Sequence, residues 1–159
     1  MHRRAAMPPQ QPGSQPRGAR TARERHGEVQ DLLDRYAKAL TSGDAQAAAA
    51  MWEVPAYVIG PDAALAVDQP TLISQFFGEA KDAYNAQGIE STRPEILDEE
   101  WIGDRLVVVR IRWPYLDATG REVGAERSDY TLRRDRNGAL VIRCVLMRGV
   151  EGAGLSPPS

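Results

Sequence analysis

At 159 residues, 42% of them hydrophobic, the chain is long enough for one domain with a buried core and too short for two. The net charge of −2 divides unevenly: residues 1–26 set six arginines against the single acid Glu24, a balance of +5 that leaves −7 for the rest. An acidic domain is a poor nucleic-acid binder, because phosphate contact needs clustered positive charge, and no apolar run approaches the ~18 residues of a membrane helix. The start is basic but has no apolar segment behind it, so a secretory signal is not expected. One cysteine, Cys144, permits neither an intrachain disulfide nor a cysteine zinc site, and a cytoplasmic protein with no nucleic-acid or membrane partner is expected.

Residues 1–21 are rich in proline, glutamine, glycine and arginine and have too little apolar surface to offset the entropy of ordering, so a disordered basic tail is expected. Met7 is a second candidate for the initiator. A single domain over 22–150 follows, and residues 151–159 read as a second disordered tail. The first helix is predicted over Ala22–Ser42, because Val29, Leu32, Leu33, Tyr36 and Leu40 form one stripe, with Gly43 suited to the left-handed position beyond its end. Asp44 caps a short helix predicted over Ala45–Glu53, and Pro55 stops it. Tyr57–Ile59 and Ala64–Val67 form a strand pair around the turn Gly60-Pro61-Asp62. A third helix begins at Pro70, carries Leu72, Ile73, Phe76, Phe77, Ala80 and Tyr84 on one face, and ends at Gly88.

Four strands follow: Ser91–Ile102, Leu106–Leu116, Glu122–Arg134 and Leu140–Gly149, joined by Gly103-Asp104, Asp117-Ala118-Thr119-Gly120 and Asp135-Arg136-Asn137-Gly138. The fold class is therefore α+β, a curved antiparallel sheet packed on three helices. Both Asp-x-x-Gly turns suit a glycine bulge that pairs Asp117 with Arg121 and Asp135 with Ala139. Counting outward places Val107, Val109, Ile111 and Trp113 on the helix-covered face. Ala125, Arg127, Asp129 and Thr131 share it, as do Val141, Arg143, Val145 and Met147. Cys144 then lies on the opposite face, which also holds Tyr130 and Ile142. With Leu146, these make that face partly apolar and predict a homodimer through it.

The stretch RYAKALTSGDAQAAAAMW, the strand pair, the helix with a Phe-Phe pair and the meander ending RNGALVIRCVLMRG resemble the nuclear-transport-factor-2-like superfamily over about Glu28–Gly149. The SnoaL-like and ketosteroid-isomerase-like branches are the nearest. The resemblance implies a cone whose open end is a pocket, commonly in a dimer, serving isomerases, cyclases, dehydratases and binders alike. In the isomerase branch a tyrosine of R-Y-x-x-A-L-x-x-G-D donates to an oxyanion, and Tyr36 holds that slot. A protonated aspartate on the penultimate strand stands beside it, and Asp129 in SDYTL falls there. Ketosteroid isomerase is itself the standard illustration of a buried neutral carboxyl. The branch's carboxylate base falls at Gly60 by ungapped count from Tyr36, with Asp62 two residues on.

The candidate catalytic residues are thus Tyr36, Asp129 and Asp62. Each has a plainer reading: a core tyrosine satisfied at the rim, an ion pair between Asp129 and Arg143, and a simple turn residue. Trp52, Tyr57, Phe76, Trp113 and Met147 are candidate apolar walls, with Arg143 the charged member of the ligand-binding set. His2 and His26 are the only histidines, which argues against a histidine base, a Ser-His-Asp triad or a histidine metal site. No Gly-x-Gly-x-x-Gly or P-loop spacing follows a strand, so no cofactor is implied. Two functions remain open: a small-molecule-binding domain without a complete isomerase site, or a cofactor-independent isomerase, cyclase or hydratase acting by proton transfer on a small apolar carbonyl compound.

Overall fold

The computed structural model describes residues 20–152. The expected tails lie outside that range except for Arg20, Thr21, Glu151 and Gly152. Helix α1 spans Ala22–Ser42. Thr21 caps it by accepting the Glu24 backbone N–H at 3.1 Å, and Gly43 closes it with φ 74°. Helix α2 covers Ala45–Ala49 under the Asp44 cap, and α3 covers Pro70–Ala86 with proline in its first turn.

The strands are β1 (Trp52–Ile59), β2 (Ala64–Val67), β3 (Ser91–Thr92), β4 (Glu95–Ile102), β5 (Leu106–Leu116), β6 (Glu122–Arg134) and β7 (Leu140–Glu151). They form one seven-stranded, curved, unclosed sheet in the order β2-β1-β7-β6-β5-β3, with β4 also on β5. All pairings are antiparallel except β1 with β7. The helices cover the concave face, and the core sits between α1 and Val107, Val109, Ile111, Leu132 and Ile142, each fully buried.

Two elements differ from expectation. The short helix stops at Ala49, because Met51 accepts the Ile142 N–H at 2.8 Å and Trp52 pairs with Ile142, which draws residues 52–56 into β1. The strand expected over Ser91–Ile102 is interrupted at Arg93-Pro94, opposite a segment that contains Pro114. Two prolines without N–H groups leave the ladder unable to close there.

The larger correction concerns which way β6 and β7 face. Both turns form as expected: Asp117 N–H reaches Arg121 O at 2.9 Å, and Asp135 N–H reaches Ala139 O at 2.8 Å. Each hairpin then contains a second bulge. Leu116 pairs with Glu122 but Tyr115 pairs with Gly124, leaving Val123 unopposed. Leu132 pairs with Ile142 but Thr131 pairs with Cys144, leaving Arg143 unopposed. One extra residue reverses every side chain beyond it. The inward set of β6 is therefore Glu126, Ser128, Tyr130 and Leu132, directly opposite Trp113, Ile111, Val109 and Val107. Asp129 and Thr131 face outward, and so does Arg143, whereas Val145 and Met147 do turn inward.

Candidate functional site

A cavity of about 160 Å³ opens between α1, α3 and the concave face of the sheet. Leu65, Leu72 and Phe76, at 54%, 39% and 44% exposure, are large apolar side chains left uncovered because they line its mouth. Deeper in, Tyr36 from α1 is surrounded by rings. Phe77, Trp113 and Tyr130 lie edge-on to it with centroids 5.7, 6.2 and 6.0 Å away. Its hydroxyl accepts from Trp52 Nε1 at 3.2 Å. Burial pushes the Tyr36 phenol far above its ordinary range, and burial does the same to Tyr130, so both remain protonated donors.

A second polar cluster lies on the cavity wall. Glu126 projects inward from β6, and its Oε2 accepts from the Tyr115 hydroxyl at 3.0 Å and the Tyr84 hydroxyl at 3.5 Å. The Tyr84 and Tyr115 rings pack with centroids 5.5 Å apart. Burial raises the Glu126 carboxyl above the ordinary glutamate range, and the two phenol donors only partly oppose it. Both phenols are pushed up in turn, by burial first and then by the nearby Glu126 charge, so they donate rather than ionise. Among the described residues Glu126 makes no ion pair. Trp113 shares this wall, its Nε1 occupied by Ser128 Oγ at 2.9 Å.

The sequence-predicted residues divide accordingly. Tyr36, Trp52, Phe76, Trp113 and Met147 line the cavity. Asp129 does not: its outward carboxylate takes two bonds from Arg148, Nε to Oδ1 at 2.8 Å and Nη2 to Oδ2 at 2.6 Å, with Arg110 Nε at 3.9 Å. Arg148 is the unopposed residue of a further bulge, between the pairs Ser128–Met147 and Arg127–Gly149, which aims it at its neighbour strand. Arg143, expected to pair with Asp129, bonds the Pro55 carbonyl at 2.9 Å and Glu53 at 3.0 Å instead. Tyr57 pairs with Cys144 on the outer face and is half exposed. Asp62 sits in the exposed β1–β2 turn, away from the cavity lining.

Glu126 and Tyr130 are the site residues that turn counting places on the wrong face, and Tyr84, on the apolar face of α3, and Tyr115 complete the cluster. A signal existed: Tyr130 and Leu132 are apolar while Arg127, Asp129 and Arg133 between and around them are charged. That alternation favours 130 and 132 as inward positions, and strand parity carries 128 and 126 with them once the core has selected the register. Cys144 falls on the outer face as counted, and burial raises its thiol, which lowers its reactivity. No group of three or more His, Cys, Asp or Glu side chains gathers for a metal among the described residues.

No curated protein matches the sequence. Several solved structures share the fold. A domain of unknown function with a cystatin-like fold from Nostoc punctiforme superposes with a TM-score of 0.64 at 14% identity, over 86% of this chain and 81% of that one. Aln2 from a Streptomyces species gives 0.63 at 19% identity, over 80% and 92%. A ketosteroid isomerase-like protein from Erwinia carotovora atroseptica gives 0.58 at 16% identity, over 79% and 98%. At such identities the likeness is one of fold. Residues 24–148 match the family described as NTF2-like protein (DUF6841), and the chain belongs to that family.

Proposed function

We propose that the cone binds a small, mostly apolar organic molecule through one polar group. The observation that carries this reading is a cavity walled by aromatic side chains with the Glu126 carboxyl, bonded by two phenols, projecting from the sheet onto its wall. Apolar walls supply affinity, and one placed polar group supplies orientation. The test is titration with 1-anilinonaphthalene-8-sulfonate or its uncharged parent 1-anilinonaphthalene, read by dye fluorescence. Ala80, buried on the lining, is replaced by Phe to fill the space. Saturable binding of the uncharged dye that the filled variant loses, with its circular dichroism retained, supports the reading. Dye binding that survives filling removes it.

A second reading is proton-transfer chemistry, favoured by the raised Glu126 carboxyl in the same cavity as the Tyr36 and Tyr130 phenols. Glu126 would move the proton, the role the sequence suggested for Asp62, and Tyr36 would donate to the developing oxyanion. Deuterium exchange at the carbon beside a small ketone's carbonyl, accelerated by the protein and not by its Glu126→Gln variant, is the measurement.

Two further expectations belong to this proposal. The protein acts as a homodimer through the outer sheet face, now by Tyr57, Ile59 and Leu146, exposed at 50%, 38% and 39%, because Tyr130 and Ile142 face the core. The functional unit is the domain over 22–150, in a reducing cytoplasm suited to its single thiol. Among the described residues no helix is long and apolar enough to cross a membrane.

A further inference from the structure

We propose that the ligand is a small organic cation, an ammonium carried on an apolar body, held by the Glu126 carboxylate among the rings of Trp113, Tyr115 and Tyr84. This rests on the binding reading above and names its chemical class.

Among the described residues Glu126 has no counter-charge paired with it. Asp129, three residues away on the same strand, has Arg148 and Arg110 against it; Glu126 has two phenols. Both phenols donate to the same oxygen, Oε2. A carboxylate offers about four acceptor positions, so Oε1 keeps its capacity for a donor arriving from the cavity. An unpaired carboxylate drawn partly out of water is costly, and a ligand cation offsets that cost directly.

The walls point the same way. Trp113 is the cross-strand partner of Glu126, and the Tyr84 and Tyr115 rings flank the carboxyl from α3 and β5. Aromatic faces attract cations and, with an acid among them, repel anions. Two other charged residues line the cavity, Lys81 and Glu90. Glu90 is exposed, and Lys81 packs its aliphatic stem beside Gly43, where an added Cβ would meet Lys81 Cδ at 2.8 Å. Lys81 forms no ion pair with Glu126 among the described residues. The phenols of Tyr36 and Tyr130 stay protonated and neutral.

The experiment compares three probes of one size and different charge: 2-phenylethylammonium, 2-phenylethanol and phenylacetate, by titration calorimetry on the full chain. The expected order is ammonium tightest, alcohol about tenfold weaker and phenylacetate weakest, with the ammonium preference lost in Glu126→Gln. Affinity for the ammonium also rises with pH as Glu126 ionises, a trend that needs no variant and that phenylethanol does not share. Alcohol binding equal to ammonium binding, or a preference that survives in a folded Glu126→Gln, overturns the cation class and leaves the pocket intact. No binding of the ammonium where 1-anilinonaphthalene still binds also overturns it. Failure of the dye as well removes the binding reading itself.

Discussion

Glu126 and Asp129 are acids on one strand, three residues apart, and the sheet puts them in opposite worlds. Asp129 lies on the convex face, 5% exposed, gripped by Arg148 with Arg110 nearby. Glu126 lies on the concave face with two phenols bonded to it and, among the described residues, no cation. On the convex face, arginines and carboxylates from β4 to β7 neutralise one another, as Arg112 does with Glu95 at 3.2 Å and Glu122 at 2.7 Å. On the concave face Glu126 has no ion pair among the described residues and lies beside a cavity. Charge that is already paired holds a sheet in register; charge left unpaired in an aromatic recess is available to a ligand.

The contrast breaks most visibly in the core. Leu132→Ala, on the concave side and fully buried, is expected to cost about 3 kcal/mol in denaturant unfolding, and its outward neighbour Arg133→Ala less than about 0.5 kcal/mol. Similar losses at both positions would mean that β6 is not sided as described.

Next in size is the convex ion pair. A double-mutant cycle of Asp129→Asn with Arg148→Met should show non-additivity, modest because Arg148 is half exposed. The same cycle with Arg143→Met in place of Arg148→Met should be additive within about 0.3 kcal/mol, since Arg143 bonds Pro55 and Glu53. Coupling to Arg143 would restore the inward orientation of Asp129 that turn counting suggested.

The concave acid is sharpened by a pH series. Because burial raises the folded-state pKa of Glu126, the folded protein holds a proton that the unfolded chain releases once pH passes the ordinary glutamate value of 4.5. Stability from this group is therefore present below 4.5 and lost as pH climbs to the raised value, above which the loss is constant. Glu126→Gln cannot titrate, so its stability relative to the parent should climb over that window and then level off in equilibrium melts. A flat difference would mean that Glu126 is solvated. The smallest expected effect is at Asp62: Asp62→Asn, in an exposed turn, should leave stability within about 0.5 kcal/mol and dye binding unchanged.

Much of this architecture was legible in residues. The stripe Val29, Leu32, Leu33, Tyr36 and the closing Gly43 specify α1, and Pro70 with Phe77 and Ala80 specify α3. Turn chemistry at Asp117–Gly120 and Asp135–Gly138 sets the hairpins, and Tyr36, Trp52, Phe76, Trp113 and Met147 line the cavity. What local rules could not supply was the pair of bulges at Val123 and Arg143, because a bulge satisfies the same turns and the same propensities as a regular ladder. Only the packing of Tyr130, Leu132 and Ile142 against Val107, Val109 and α1 selects the bulged register. That choice carries Glu126 into the cone and Asp129 out of it. Sequence periodicity determined which elements exist and which helix faces are buried; side-chain parity along a long strand depends on every residue inserted before it, and the tertiary core alone decided that count.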